Sequence, residues 1–433
     1  MGKNEYDVII VGTGVGGASV GRDLSLAGRK VLFLEKGGHI KRVGNTVSAA
    51  LMTTKFGFTR SREKNWIVSV CNYGGSSNLA AGCAAPPPKI VFDPVGIDLT
   101  NEAGEAQKEL WINNLPDELT GRSNLRLMEA ANDLGYNWEK FEKYIDIDKC
   151  EPNCSDCMNG CSRGAKWTAR VYGDEAIQNN ADIKLHARVD KLIIENGRIV
   201  GVEGKRMELR FKYYGKSVVL SAALGNAPIL QRAGIKEAGM GFACDYLQFI
   251  GGISPHLSSI GANPMAVGTM EHYESDGIVI LPVFYGWGTF ALHLGFMGPK
   301  YLPKFFNFWK YTGVMVKIRD DIRGRIFPDG SFSKPISRED RLKLSKGVEI
   351  IKKILKKAGC NDNSMFVADP LGAHPSASCR IGEVVDTNLE TRIKNLFCCD
   401  TSVFPSSLGL PTMWTTVSLG KRLAKHLDKI VLQ

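Results

Sequence analysis

The sequence predicts an α/β fold whose main part is a Rossmann-type nucleotide domain. Three observations predict it. A strand, a glycine loop, a helix and a second strand open the chain. An alternating stretch with a hairpin turn lies near the middle, and a short apolar run ending in an acid lies near the C-terminus. Inserted between these are an α+β lobe and a loop with four closely spaced cysteines.

The opening segment is "YDVIIVGTGVGGASVGRDLSLAGRKVLFLEKGG". Val8 to Val11 reads as a buried strand. Gly12-Thr13-Gly14-Val15-Gly16-Gly17 then satisfies G-x-G-x-x-G, Ala18 to Leu26 reads as a helix ended by Gly28, and Val31 to Leu34 is the next strand. In this context Gly12 makes the tight turn, Gly14 lets the backbone approach a pyrophosphate, and Gly17 allows close helix–strand packing. The helix N-terminus favours the phosphate charge. Glu35, at the end of the second strand, is placed to accept from a ribose hydroxyl. The late run "NLFCCDTSVFP" reads as a short strand ending in Asp400. An N-terminal dinucleotide unit closed by a C-terminal strand and acid fits FAD better than NAD.

Composition excludes several classes. The chain has 433 residues, 44% of them apolar and 23% charged, as in ordinary globular proteins. The net charge of +10 lacks the dense basic runs of a nucleic-acid arm, so no nucleic-acid partner is expected. No signal peptide and no run of about 18 apolar residues is visible, so a cytoplasmic protein without a spanning helix is expected. Eleven cysteines in a reducing compartment favour metal binding over disulfides.

Four of them crowd into "CEPNCSDCMNGC": Cys150, Cys154, Cys157 and Cys161. Structural zinc sites usually use two Cys-x-x-Cys pairs separated by a longer loop. The contiguous spacing here is nearer to the ferredoxin-type C-x2-C-x2-C-x3-C run, with one extra residue in the first gap. The expectation is a [4Fe–4S] cluster, with zinc as the alternative. Arg163, Lys166 and Arg170 follow, and would offset the charge of a thiolate-ligated cluster or simply begin a solvated helix.

Three further segments carry a family resemblance. They are "NYGGSSNLAAGCAAPPP" (72–88), "VVLSAALGNAPILQRAGI" (218–235) and the C-terminal run from His374-Pro375 through "CRIGEVVDTNLE" and "DTSVFP" to a final helix. Together they resemble the glucose–methanol–choline (GMC) oxidoreductases, in a short variety. The resemblance implies FAD and oxidation of an alcohol or its reverse, with His374 as the acid/base. It implies flavin contacts from Val15, Gly16 and Lys36 beside the first motif, and from Gly75, Ser76 and Asn78 in the first segment. It also implies contacts from Val189, from Ala223 in the second segment, and from Asp400, Thr401, Pro411 and Thr412 in the third. The family usually carries a second His or Asn before the proline of the last helix. Here Leu410 stands there and cannot bond a substrate oxygen. His272 and His293 are candidates to fill that role.

The remaining organisation follows by segment. The FAD-binding domain takes 1–99 and 181–238, and a helical segment with the cysteine loop takes 100–180. The substrate lobe takes 239–335, with strands walling a pocket, and 336–433 closes the FAD domain. "LPDELTGRSNLRLMEAANDLGYNW" reads as one helix ending at Gly135, and Asn196-Gly197 as a hairpin turn in a small antiparallel sheet. Ser337 and Asp340 form a capping box for a helix ended by Gly359. "PKYLPKFFNFWKY" (299–311) interleaves lysines with aromatics, as a segment docking on a membrane surface would, or a hydrophobic lid. A flavin takes two electrons and a cluster passes them singly. The expected function is therefore an FAD and [4Fe–4S] oxidoreductase acting on a CH–OH group or its carbonyl. It would act on a small, partly apolar molecule and use a one-electron carrier such as ferredoxin or a partner subunit. A ferredoxin-dependent reductase of C=C bonds and an electron-transfer subunit are the alternatives.

Overall fold

The computed structural model describes residues 5–154 and 156–431. Its first sheet runs in the order Asp182–Lys184, Val31–Leu34, Glu5–Val11, Leu209–Leu220, Arg198–Arg206, Ala187–Glu195, and Leu396–Cys398 also pairs with Leu209–Leu220. The twelve-residue strand Leu209–Leu220 is shared between two patterns. Its first half pairs antiparallel with Arg198–Arg206, while its second half runs parallel to Glu5–Val11 and Leu396–Cys398. The small antiparallel sheet expected from the alternating sequence is therefore continuous with the parallel nucleotide sheet. Asn196 and Gly197 adopt φ of 51° and 75°, as a two-residue hairpin turn requires. The next turn is built from Met207 and Glu208, also at positive φ. Neither residue type announces a turn.

The helix Val15–Leu26 packs between this sheet and the helix Met413–His426. A Cβ on Gly420 would lie 2.5 Å from the Ser19 Cβ, so the two helices cross in close contact. The second sheet runs Ile278–Pro282, Tyr311–Ile318, Tyr246–Ile253, Leu371–Gly372, Trp66–Val70, Thr53–Arg60, with Phe366–Val367 added against Tyr246–Ile253. The helix Arg338–Lys357 covers it. Gly347 lets that helix approach closely, since a Cβ there would sit 2.2 Å from a Val316 methyl. The capping box of Ser337 and Asp340 is present, and Gly359 takes φ 95° just past the helix end.

Two local expectations change. The stretch read as one helix is split into Asp117–Thr120 and Arg122–Asp133. Gly121 between them has φ 89°, and a Cβ there would lie 2.2 Å from Gly261 O. The aromatic part of the substrate lobe, expected as strands, contains the helix Trp287–Met297 and 3₁₀ turns over Pro299–Lys310. No described helix is long and apolar enough to cross a membrane.

Candidate active site

The parallel strands of the first sheet end at Val11, Leu34, Leu220 and Cys398. The next residues of each are Gly12, Glu35, Ser221 and Cys399, so the predicted nucleotide residues gather beyond the carboxyl ends of the strands. That edge is where open α/β sheets bind ligands. Gly12 has φ 102°, and a Cβ on it would meet Ser221 O at 2.3 Å. Cβ atoms on Gly16 and Gly17 would meet Cys399 O at 1.9 Å and Gly12 O at 2.3 Å. Gly14 differs: it has φ −67° and nothing lies within 4 Å of a Cβ built there. The helix start beside it has no side-chain cap. Open space over backbone N–H groups at a helix N-terminus fits the pyrophosphate of a dinucleotide.

The carboxylate of Glu35 accepts from Thr13 N at 3.0 Å, Thr13 Oγ1 at 2.7 Å and Gly37 N at 2.7 Å. It thus braces the glycine loop and keeps part of its acceptor capacity. Lys36 beside it is exposed. The 72–79 segment lies over the same loop. Gly74 N donates to Thr13 Oγ1 at 3.2 Å, and a Cβ on Gly75 would stand 3.0 Å from Gly14 Cα. Ser76 is exposed, whereas Asn78 is buried and donates to Tyr73 O and Gly75 O. Asp400 is buried and accepts from Ala223 N, Asn226 Nδ2 and Ser402 N. Thr401 Oγ1 donates to Pro375 O at 2.6 Å, which ties this edge to the His374 segment. Pro411 and Thr412 lead into the helix Met413–His426, with Thr412 at its N-cap. Val189 lies on the strand Ala187–Glu195, opposite Gly204 and two residues after Ala187, whose N–H donates to Glu35 O at 2.8 Å.

His374 does not stand alone. Its Nδ1 lies 3.0 Å from Asp245 Oδ2 and 2.8 Å from Lys317 Nζ, and Lys317 Nζ lies 3.1 Å from Asp245 Oδ2. Lys317 also donates to Leu410 O at 2.7 Å. The other Asp245 oxygen accepts from Ser407 Oγ at 2.5 Å and Gly409 N at 3.0 Å. One proton at most occupies Nδ1. We assign it there, directed to the carboxylate, which is the stronger acceptor. Lys317 is then satisfied by Asp245 and Leu410, and Nε2 is the nitrogen left to meet a substrate. Asp245 is 1% exposed and holds φ 48°, a strained conformation for a non-glycine residue. Burial pushes its carboxyl up. The Lys317 ammonium and the His374 and Ser407 hydrogen bonds outweigh that and hold it well below the usual range. Burial first, then the Lys317 ammonium, pushes the imidazole of His374 below its ordinary value, against the pull of Asp245.

Sequence reasoning missed Asp245 and Lys317. Lys317 sits in "YTGVMVKI", which reads as a plain core strand, and Asp245 precedes another. The only local signal is that a charged residue interrupts an apolar run. Leu410 contributes its carbonyl to this group, not its side chain. The two histidines considered for the vacant role lie elsewhere. His293 stacks on Tyr285 and meets Phe249 edge-on, and burial lowers its pKa to about 4. His272 Nδ1 stands 3.9 Å from Asp276.

Cys150, Cys154, Cys157 and Cys161 line one cavity, together with Arg163, Lys166 and Asn263. All eleven cysteines are free thiols. Among the described residues no group of three or more His, Cys, Asp or Glu is already converged on a single-ion site. Lys166 is buried and donates to Asn78 O, Ala80 O and Cys157 O at 2.8, 2.6 and 2.6 Å. Arg170 instead reaches Tyr73 O, and Arg163 pairs with Glu151.

Comparison with known proteins agrees with this architecture. At 26% identity, the chain aligns over 98% of its length with the whole of an uncharacterized protein of Methanocaldococcus jannaschii. It is 24% identical to a long-chain-alcohol oxidase of Arabidopsis thaliana, over 97% of this chain and 68% of the relative. Formate oxidase from Aspergillus oryzae superposes with a TM-score of 0.72 at 15% identity, covering 99% of this chain and 98% of the other. Pyridoxine 4-oxidase from Mesorbium loti superposes with a TM-score of 0.68, also at 15% identity, over 98% and 99%. The N- and C-terminal family models described as GMC oxidoreductase match residues 51–264 and 328–420. The chain belongs to the GMC oxidoreductase family and is an FAD-dependent enzyme of that type.

Proposed function

We propose that this enzyme interconverts a CH–OH group and its carbonyl on a small, partly apolar molecule. The electrons are exchanged with a one-electron carrier, a ferredoxin or a partner subunit. The observation that carries the reading is the fixed orientation of His374 by Asp245, in a segment hydrogen-bonded to the residues that follow the last parallel strand. FAD would be held at this edge by the glycine loop with Glu35 and Asp400 and would supply a hydride acceptor. His374 Nε2 takes the hydroxyl proton, and Asp245 stabilises the imidazolium that forms. Lys317 neutralises Asp245 before the proton arrives and keeps the carboxylate in place. In the reverse direction His374 returns the proton to the carbonyl oxygen. The relatives named for long-chain alcohols support an apolar alcohol.

Cys150, Cys154, Cys157 and Cys161 would ligate a [4Fe–4S] cluster. Their spacing, their free thiols and their shared cavity support it. Such a cluster would supply one-electron transfer. The eleven cysteines, four of them closely spaced, fit a reducing compartment, the cytoplasm. A lipid surface is the second proposed contact. No acidic residue occurs between Asp276 and Asp320, and Trp287, Phe306 and Trp309 are 67%, 85% and 66% exposed. Lys300 and Lys310 are exposed beside them. Aromatic side chains with a basic rim and no acids fit an anionic membrane.

Anaerobic purification with metal and flavin analysis tests the cofactor reading. About four irons and one flavin per chain are expected, and zinc without iron would reduce the cysteine loop to a structural knot. His374→Ala should keep FAD and cut turnover by at least about 100-fold. Near-normal turnover would remove His374 from the mechanism.

A further inference from the structure

Among the described residues five lysines are buried: Lys143, Lys166, Lys317, Lys334 and Lys421. Three have carboxylate partners. Lys317 pairs with Asp245, Lys334 with Asp320 and Asp321, and Lys421 with Asp23 and Glu109. The other two have none within 4 Å among the described residues. Lys143 Nζ donates to Ala81 O at 2.8 Å and to Pro264 O, and Lys166 Nζ to the three carbonyls of Asn78, Ala80 and Cys157.

Carbonyl dipoles satisfy the N–H donors but leave the charge uncancelled. A buried ammonium without an anion is costly, and proteins normally pair it. Both lysines are joined to the wall of the four-cysteine cavity or to a residue next to it. Lys166 lines that cavity. Lys166 Nζ bonds the carbonyl of Cys157, one of the four cysteines, and Lys143 Nζ bonds the carbonyl of Pro264, next to Asn263 in the cavity wall. Every other buried lysine has its anion in the polypeptide. At these two positions the described polypeptide offers carbonyl dipoles and neighbouring thiols but no carboxylate.

We infer that Lys143 and Lys166 are the counter-ions of an anionic four-thiolate metal centre in this cavity, and that they govern its retention and its redox potential. This rests on the iron–sulfur reading above. Four thiolates around a cubane leave a net negative charge, which grows by one on reduction. Fixed cations therefore stabilise the reduced form more than the oxidised one. Lys166 has a second consequence. Its ammonium joins the carbonyl of Cys157, on the cysteine loop, to those of Asn78 and Ala80, on the segment that covers the glycine loop. The cysteine loop is thereby tied directly to the nucleotide edge.

The test uses full-length protein purified anaerobically, or reconstituted with ferrous iron and sulfide. The proteins are wild type, Lys143→Met, Lys166→Met and the charge-preserving Lys166→Arg. Readouts are iron and acid-labile sulfide per chain, flavin per chain, and the cluster midpoint potential by redox titration. In the methionine variants, cluster retention should fall by about 10-fold or more, the scale of a lost outer-sphere partner, or the potential should move negative where the cluster persists. Flavin content should be unchanged in Lys143→Met, and Lys166→Arg should stay near wild type. The glutamine variants, which keep a donor for the same carbonyls, serve where methionine prevents folding. Iron in wild type, with unaltered iron and potential in the neutral variants, overturns this inference and leaves the cluster reading standing. Absence of iron from the wild type overturns the cluster reading itself.

Discussion

Asp245→Asn is the sharpest perturbation of the proposed chemistry, because it changes charge without changing size. In the wild type, both Asp245 oxygens are engaged, at 3.0 and 3.1 Å to His374 and Lys317 and at 2.5 and 3.0 Å to Ser407 and Gly409. An asparagine amide turned toward His374 would donate to Nδ1. The proton would move to Nε2, and the base would be lost. That loss is worth about 10²–10⁴ in rate, or roughly 2.7–5.4 kcal/mol of barrier. Lys317, 2% exposed, would also lose its anion, and breaking one side of a buried pair costs about 3–5 kcal/mol of stability. The assay is the pH profile of kcat/KM with an alcohol substrate, alongside flavin content and thermal melting. His374 must be neutral to act as a base, so activity rises with pH through its pKa. That pKa is depressed, so the wild-type limb lies on the acid side of the ordinary histidine value. Removing the Asp245 charge moves the limb further down. Lys317→Met removes a cation beside the ring and moves it up. A purely structural role predicts lower stability but no opposite displacement of the two limbs. If Asp245→Asn keeps full flavin, an unshifted limb and kcat/KM within about 3-fold of wild type, the assigned tautomer and the positioning role are both wrong.

Two further outcomes follow from the geometry. Gly14→Val should fold with a near-normal melting temperature yet lose flavin, since its side chain enters empty space at an ordinary φ. Gly16→Ala should fail to accumulate, because its Cβ would fall 1.9 Å from Cys399 O. Absorbance at the flavin band against melting temperature separates the two, and flavin-replete Gly14→Val would move the pyrophosphate elsewhere. The triple change Trp287→Ser, Phe306→Ser, Trp309→Ser should weaken cosedimentation with phosphatidylserine vesicles by about 10-fold or more at unchanged turnover of a water-soluble alcohol. Equal sedimentation of both proteins would reassign that face to a lid or protein contact.

The features that were legible in advance are those whose physics is local. Gly12 needs φ 102°, Ser337 and Asp340 cap across three residues, and Asn196-Gly197 bends within one turn. Neighbours in sequence are enough to specify each. Local composition misled where close approach decided the backbone. Gly121 breaks a helix at φ 89°, where Gly261 O leaves no room for a side chain, and the Met207-Glu208 turn is held by the strands it joins.

By itself the sequence determined the glycine loop, the close spacing of four thiols and the family's C-terminal run containing His374, because backbone conformation and residue spacing are properties of adjacent residues. Only the tertiary structure decided what His374 can do. Lys317 and Asp245 lie 57 and 129 positions from it, and meet it because strand order in the second sheet brings their segments together. The same holds for Lys143 and Lys166. Whether a buried charge has a partner depends on which segments enclose it, and no window of sequence contains that information.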